Sequence, residues 1–578
     1  MSTSVLAAAI APPDVEYSLL SPMLIVFGAA VLGVLVEAFA PRGGRRRIQL
    51  GVAAAGLLGA LAALIVVGVN ITRADRQGRS AMSGAVVLDR PALFLQGLLI
   101  VVSLLAVAFM AERGLERVVT PSTRRVSNGP GAVAREALSD RRSRDRSKVA
   151  DESADMFTPS GASVPNSVEE FDATRAGGVT TEVFPLTLLA VGGMMLFVAC
   201  GDLLTMFVAL EVFSLPLYLL CALSRRRRLL SQEASLKYFL LGAFSSAFFL
   251  FGVAFVYGGT GTLSLSEIGT ALNSAKGDAA LGLPLIGLAL LAVGLLFKIG
   301  AVPFHAWVPD VYQGAPTPVT AFMAAATKIA AFGSLLRVFT VGFGAVVDDW
   351  RPALWVIATI TMLDGAILAV TQSDVKRLLA YSAVTHTGFI LLGLIAYDSA
   401  GISATLLYLA AYAFSTFGAF ATVAVIREPD STALHSPTHA PSPHRSGREA
   451  TAIVQWAGLG RRYPLVGAMF SMYLLAFAGI PLTSGFVAKF DVFAAVAGSG
   501  GAVLVVIGVL SSAIAAYFYV RIIVAMFFAE VPVDAPHVVR PSVLTTVPIA
   551  LCTAVTILLG FFPQPLLTLV GTAGTFLS

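Results

Sequence analysis

The chain of 578 residues is 57% hydrophobic and only 13% charged, and its mean hydropathy is +0.83. Soluble globular proteins carry about 25% charged residues, so this composition excludes them and indicates an integral membrane protein. The net charge of +5 comes from basic clusters between apolar segments, which set the topology of a membrane protein. We therefore expect a lipid bilayer around the chain and no nucleic-acid partner.

About fourteen membrane-spanning helices are predicted, because apolar stretches long enough to cross a hydrocarbon core of about 30 Å recur along almost the whole chain. The expected spans are residues 18–40, 49–70, 91–111, 183–200, 203–223, 235–258, 281–305, 317–341, 353–371, 378–397, 403–426, 464–494, 501–528 and 542–571. If the N-terminus faces outward, four basic clusters lie inside: residues 42–47, 225–228, 376–377 and 461–462. The positive-inside rule thus predicts that both termini lie outside the cytoplasm, although Arg73, Arg76 and Arg79 fall on the opposite side.

Five parts are expected along the chain. They are three N-terminal transmembrane helices in 1–111, a hydrophilic cytoplasmic loop predicted to be disordered in 112–181, a five-helix repeat in 182–341, a second five-helix repeat in 342–528 with a flexible loop at 427–455, and a C-terminal transmembrane helix in 529–578. The expected fold class is an all-α integral membrane protein.

No metal site is predicted on this chain. The loop at 427–455 contains His435, His439 and His444, and His-rich tracts can bind metal. Their irregular spacing among Pro and Ser residues favours a flexible linker instead. The cysteines lie in or at the end of apolar segments without the spacing of metal ligands.

A short internal repeat predicts two interrupted helices. The sequences KIGAVPF, which begins at Lys298, and AGIPLTSGFVAK, which ends at Lys489, each place Gly and Pro in mid-membrane beside a lysine. The two lie five predicted spans apart, and an odd offset means opposite orientation in the bilayer. Inverted repeats with helices broken at corresponding positions indicate an ion path near the midplane of the membrane.

Four ionisable residues within predicted spans are the main candidates for such a path. They are Glu211, Lys298, Lys328 and Lys489, and a charge inside a membrane span is by default a functional hypothesis. Burial lowers the pKa of a lysine and raises that of a carboxyl group, so groups of this kind can exchange protons near neutral pH. We expect Glu211 with Lys298 on the input side, Lys328 as the central relay and Lys489 at the output.

Further ionisable residues have two interpretations each. His305 shares an interrupted helix with a lysine, which favours a proton shuttle, whereas His386 is a shuttle or a structural histidine with equal weight. Lys237 follows an acid one turn earlier and either joins the path or extends to the membrane interface. Glu37 and Asp364 are additional acids within predicted spans.

Several long motifs resemble one known family, the antiporter-like membrane subunits of bacterial complex I, the proton-translocating NADH-quinone oxidoreductase. They are FKIGAVPFHAWVPDVYQGAPTPVTAF at 297–322, LKYFLLGAFSSAF at 236–248, VKRLLAYS at 375–382, GLGRRYP at 458–464 and AGIPLTSGF at 478–486. The resemblance covers residues 18–571 apart from the two hydrophilic loops. Lys489 and the end of the chain after the fourteenth span favour subunit N over subunits M and L.

The resemblance implies a proton-translocating subunit of the bacterial cell membrane without its own redox centre. It carries the family's Glu–Lys pair, central lysine and terminal lysine onto Glu211, Lys298, Lys328 and Lys489. It also implies that FMN, the iron–sulfur clusters and the quinone are bound by partner subunits, both membrane-embedded and peripheral, so no cofactor is expected on this chain. The loop at 112–181 is longer than the family pattern requires.

Two other functions remain open from the sequence. A subunit of an Mrp-type Na⁺/H⁺ antiporter has the same fourteen-helix unit, but Lys489 stands where that family usually has a carboxylate. A secondary transporter for a small solute would need a wide cavity with polar contacts to its substrate, and the sequence offers few polar groups beyond the predicted proton path.

Overall fold

The computed structural model describes residues 15–74, 77–119, 151–154, 156–158, 180–225, 227–275, 281–429, 448–532 and 535–577. Within these ranges the chain forms nineteen α-helices and six short strands. The helices are α1 (Tyr17–Phe39), α2 (Arg42–Arg73), α3 (Arg90–Met110), α4 (Val183–Ala199), α5 (Leu203–Cys221), α6 (Arg228–Thr260), α7 (Leu265–Ser274), α8 (Gly282–Ile299), α9 (Trp307–Gly314), α10 (Thr317–Arg337), α11 (Val347–Val370), α12 (Val375–Ala396), α13 (Ser399–Ala424), α14 (Leu459–Arg462), α15 (Pro464–Ala478), α16 (Ser484–Gly498), α17 (Ala502–Phe528), α18 (Val543–Phe561) and α19 (Gln564–Thr572). The strands pair as antiparallel ribbons: β1 (Gly78–Ala81) with β2 (Val86–Asp89), β3 (Glu116–Val119) with β4 (Asp151–Ala154), and β5 (Ile426–Arg427) with β6 (His537–Val538).

Twelve helices in the described part of the chain are long and apolar enough to cross a membrane. The helices α4 and α15 are apolar but shorter. This arrangement confirms the helical membrane fold, while the total of fourteen spans stays a prediction.

Aspartate side chains fix where several spans begin. Asp89, Asp202, Asp374 and Asp398 each accept a hydrogen bond from a backbone N–H in the first turn of the helix that follows, at 2.6 to 3.1 Å. A carboxylate at this position satisfies an N–H group that has no partner within the helix. Each aspartate precedes an apolar stretch, so it marks the start of the span.

Two spans are interrupted as predicted. The first break follows Ile299, where Gly300 adopts a φ of 73° and the chain does not return to a helix until Trp307. The second follows Ala478, where Gly479 has a φ of 79° and α16 begins at Ser484. Left-handed backbone of this kind costs a glycine little because it has no Cβ, so these two glycines end the first half of each broken helix.

The contacts between helices follow the same order in the two expected repeats. The helix α4 packs against α5 and α10, and α11 packs against α12 and α17 in the same way. Each set encloses one broken helix, α8–α9 in the first and α15–α16 in the second. Almost every residue of α10, α12 and α13 is buried, whereas α1, α2 and α17 expose apolar faces suited to lipid. The buried helices therefore form the centre of the molecule.

Three regions show features that the sequence did not indicate. Within the predicted loop 112–181, residues 116–119 and 151–154 pair as β3 and β4, which satisfies backbone hydrogen bonds of these two segments. The predicted span 542–571 is two helices, because Pro563 has no N–H to continue α18. The loop 427–455 is anchored at both ends, by β5 and by a buried Glu449. Its three histidines lie outside the described residues.

Candidate proton path

The first buried lysine lies at the end of α8. Lys298 is 3% exposed, and its Nζ donates hydrogen bonds to Ser214 Oγ at 2.7 Å and to Tyr218 Oη at 3.3 Å, both on α5. The rings of Phe213 and Tyr218 lie 5.5 Å from the same nitrogen, within the range of a cation–π interaction. The amine is therefore held by hydroxyl groups and aromatic faces.

Glu211 lies near this lysine without touching it. Glu211 and Ser214 are three residues apart on α5 and so share one face of the helix, and Ser214 is the residue that binds Lys298. In the described part of the chain, no ion pair within 4.0 Å joins Glu211 to Lys298, and Glu211 Oε1 is buried without a hydrogen-bond partner. The two residues of the predicted pair therefore lie near each other without an ion pair.

The second lysine is bound to the first interrupted helix. Lys328, on α10, donates to the carbonyl oxygens of Ile299 at 3.3 Å and Ala383 at 2.6 Å, and to Thr387 Oγ1. Ile299 is the last residue of α8, and the final carbonyls of a helix have no partner within it. Thr387 also donates to Ile299 O at 2.8 Å. The ring of Tyr412 lies 5.6 Å from the amine nitrogen.

The third lysine repeats this arrangement at the second interruption. Lys489 donates to the carbonyl oxygens of Phe477 at 2.9 Å and Ala478 at 3.1 Å, which end α15, and to Ser512 Oγ at 2.8 Å. The ring of Phe389 lies 4.6 Å from its nitrogen. The C-terminal end of a helix carries partial negative charge, so each break directs such an end at a buried amine.

His386 lies between the second and third lysines. Its Nδ1 is 2.7 Å from Tyr408 Oη, and its Nε2 is 3.4 Å from Tyr519 Oη. Its ring contacts Phe477, whose carbonyl binds the third lysine, and Tyr412, whose ring faces the second. Of the two histidines weighed in the sequence, this one is placed to connect two lysines.

The comparisons with known proteins identify the family of this chain. Residues 200–515 match the family model described as NADH:quinone oxidoreductase/Mrp antiporter, TM. The chain is 55% identical to NADH-quinone oxidoreductase subunit N of Mycobacterium tuberculosis over 98% of this chain and 99% of the relative. This chain belongs to the subunit N family of NADH-quinone oxidoreductases.

Solved structures support the same fold for this subunit N family member. A chain of respiratory complex I from Thermus thermophilus is 29% identical, with a TM-score of 0.68 over 95% of this chain and 99% of that one. A chain of the Mrp complex from Dietzia sp. DQ12-45-1b is 21% identical, with a TM-score of 0.71 over 96% and 97%. The second likeness shows a shared fold alone.

His305 is placed beside an acid of the second repeat. Its Nε2 lies 3.3 Å from Asp364 Oδ2 on α11, and its Nδ1 is buried with no hydrogen-bond partner among the described residues. One turn earlier on α11, Thr361 Oγ1 accepts a hydrogen bond from Val302 N at 3.1 Å. The first interruption is therefore attached to the opening helix of the second repeat through polar contacts.

Lys237 belongs to a separate network with partial exposure. Its Nζ lies 2.7 Å from Glu233 and 2.8 Å from Asp310, and Arg377 lies 2.7 Å from the other oxygen of Asp310. Its side chain is 44% exposed, unlike those of the three buried lysines. These ion pairs join α6, α9 and α12, and the place of Lys237 in the path stays a prediction.

A buried ion pair at the end of the loop 427–455 escaped the sequence analysis. Glu449 Oε2 lies 2.9 Å from Lys376 Nζ, and Thr317 donates to Glu449 Oε1 at 2.5 Å. Burial by itself raises the pKa of the Glu449 carboxyl group, but the charges of Lys376, Arg427 and Arg227 outweigh burial and lower the pKa to about 2. This carboxylate joins α10, α12 and the returning loop.

Sequence reasoning also missed the hydroxyl groups that hold the lysines. Ser214, Thr387 and Ser512 each bind one of the three amines. Only Ser214 and Thr387 could have been found from the sequence. Ser214 lies three residues after Glu211, and Thr387 directly follows His386. Nothing in the sequence around Ser512 distinguishes it from other small residues of an apolar helix.

Proposed function

We propose that this chain moves protons across the bacterial membrane through a path formed by Lys298, Lys328, His386 and Lys489, as the proton-translocating subunit of an NADH-quinone oxidoreductase. The observation that supports this most is the environment of the three lysines. Each is almost fully buried, and none has a carboxylate within 4.0 Å in the described part of the chain. Their partners are hydroxyl groups, aromatic faces and helix-end carbonyls.

Such surroundings suit an amine that changes its protonation state. A permanent buried ion pair stabilises one charge state and becomes strongly unfavourable when one partner is neutralised. Carbonyl and hydroxyl oxygens instead stabilise an ammonium group by dipoles, and they leave no uncompensated charge behind when the proton departs. The three lysines can therefore lose and regain protons without breaking a salt bridge.

Glu211 and the two histidines have distinct proposed roles. Glu211, on the same face of α5 as the Ser214 that binds Lys298, would change the stability of the ammonium group electrostatically and so act at the input side. His386 would pass protons between the lysines of the two repeats, with Lys328 as the relay and Lys489 as the output. His305 would exchange protons beside Asp364. Lys237 has the weakest claim, because it is partly exposed and already paired.

The proposed reaction divides the work between subunits. The relatives are named as subunits of NADH-quinone oxidoreductase, and we place NADH oxidation, FMN, the iron–sulfur clusters and the quinone on partner subunits in the membrane and at its surface. This chain would supply the proton movement, with no cofactor of its own. We place both termini outside the cytoplasm on the basis of the basic clusters.

The test begins with the chain tagged in its native membrane and purified in mild detergent. Flavin and iron–sulfur subunits together with NADH:quinone activity in the same sample are the expected result. If the sample contains only antiporter-like membrane partners and does not oxidise NADH, the chain is instead assigned to an Mrp-type Na⁺/H⁺ antiporter. Lys328→Met and Lys489→Met should then abolish NADH-driven proton uptake by inverted vesicles that contain the assembled complex. Full uptake by either variant would remove that lysine from the path.

A further inference from the structure

A cavity opens at one end of the hairpin formed by α1 and α2. The two helices meet closely at Gly56, where an added Cβ would lie 2.4 Å from the Cβ of Ala29. Towards the start of α1 and the end of α2, a space of about 340 Å³ lies between them and is closed on one side by β1. The cavity lies at the end of two transmembrane helices, where the headgroups of a bilayer lie.

The lining of the cavity changes from apolar to polar along its length. Leu19, Ala63 and Val67 form apolar walls, and Arg79 and Asn70 lie at the rim. Hydroxyl groups of α1 complete the polar rim. The apolar walls continue into the exposed leucine and valine side chains of α1 and α2 that face lipid. An amphipathic molecule matches this gradient, whereas a free anion would make no favourable contact with the apolar part of the cavity.

No acidic side chain in the described part of the chain pairs with the charge at the rim. Within the described residues, the side chain of Arg79 takes part in no ion pair or hydrogen bond, and only its backbone is paired, with Leu88 in the ribbon of β1 and β2. The sequence around it, residues 73–79, holds three arginines against one aspartate, Asp75. These arginines are the ones that run against the positive-inside rule, so topology does not explain them. A ligand with negative charge at the rim does.

We propose that this cavity binds an anionic phospholipid, with the phosphate at Arg79 and the start of one acyl chain between α1 and α2. The Arg79 guanidinium would donate to phosphate oxygens in the planar geometry that arginine favours, and Asn70 would donate through its side-chain amide. Ser18 can donate from the facing helix, where the Ser21 hydroxyl group donates to Ser18 O at 2.8 Å. The proposal does not depend on the proton path, because none of its residues contacts the three buried lysines.

The experiment uses the complete complex in proteoliposomes of phosphatidylcholine that contain one part in five of a photoactivatable phosphatidylglycerol. After irradiation we expect cross-links on peptides from α1 and α2. Arg79→Ala should lower this labelling about fivefold, the loss expected for one basic residue at an anionic lipid. Ala63→Phe fills the apolar part without changing the charge and should lower it as well. Arg540→Ala is the matched control, since Arg540 is exposed and lines none of the described cavities.

Several results would overturn the proposal. Equal labelling of wild type, Arg79→Ala and Ala63→Phe would exclude a lipid site in this cavity. Excess unlabelled phosphatidylcholine and excess unlabelled phosphatidylglycerol can each be added as competitors. An equal reduction of labelling by the two lipids would exclude selectivity for an anionic headgroup. Loss of labelling on addition of inorganic phosphate alone would show an anion site without a lipid. Cross-links between this cavity and residues 1–14 or another subunit would identify a protein segment as the occupant.

Discussion

Replacing Thr387 by valine tests the central relay with little change in packing. Valine has nearly the shape of threonine, but it removes the hydroxyl group that accepts a hydrogen bond from Lys328 and donates one to Ile299 O. A hydrogen bond to a charged group contributes about 1.5 to 3 kcal/mol. Because Lys328 keeps its two carbonyl partners, the lower figure applies. The loss then shifts the balance between ammonium and neutral amine about tenfold towards the neutral amine.

The assay is NADH-driven proton uptake by inverted membrane vesicles, normalised to the amount of assembled complex. We expect initial proton uptake by Thr387→Val to fall by up to about tenfold at neutral pH, since fewer Lys328 side chains carry the proton. Lowering the pH by about one unit raises the proton concentration tenfold and should restore the rate. A purely structural defect would not be rescued in this way.

Thr422→Val provides the matched control. Thr422 is also fully buried, but its hydroxyl group donates only to Gly418 O within α13, at 2.8 Å. This variant should keep wild-type proton uptake at every pH. The reasoning about Lys328 fails if Thr387→Val and Thr422→Val pump equally well across the pH range.

Three further predictions use the same vesicles or the purified protein. Lys298→Ala should remove most NADH-driven proton uptake in a complex that still assembles on a native gel, whereas Lys237→Ala should not; full uptake by the first variant would exclude Lys298 from the mechanism. Asp364→Asn removes the charge beside His305, so proton uptake should fall about threefold at pH 6 and match wild type at pH 8; an equal effect at both pH values would contradict this pairing. Glu449→Gln removes a carboxylate whose pKa in the folded protein, about 2, lies below the ordinary 4.5. The ionised carboxylate therefore stabilises the folded state by on the order of 3 kcal/mol above pH 4.5, and this stabilisation is lost as the pH falls towards 2. The Tm of this variant should therefore be lower than that of wild type at pH 7, with a difference that narrows below pH 4.5; a constant difference would refute the assignment.

The membrane fold and the two interrupted helices were predictable because each has a strong local signal. Apolar length identifies a span, and the Gly and Pro residues beside Lys298 and Lys489 identify a break. The buried lysines were predictable for the same reason, since a charge in an apolar stretch is conspicuous. Their chemical roles are still predictions.

The partners of these groups were not predictable from the sequence. Glu211 and Lys298 were predicted as a pair on the input side, but the contacts of the amine depend on how α5 packs against α8, and Lys298 binds Ser214. Glu449 pairs with Lys376, which is 73 residues earlier in the chain, and no local pattern indicates a contact over that separation. Tertiary packing decides such contacts.

The acceptors of Lys328 and Lys489 have a consequence for how this subunit tolerates mutation. Most of them are backbone carbonyl oxygens, which every amino acid provides, so side-chain replacement at Ile299 or Ala478 leaves the acceptor in place. The vulnerable positions are the glycines that end each half-helix. At Gly479, a Cβ would meet the side chain of Lys489 at 2.8 Å in a backbone conformation that other residues rarely adopt. We therefore expect more amino-acid variation at the residues that supply the carbonyl acceptors than at Gly300 and Gly479, the two glycines that end the half-helices.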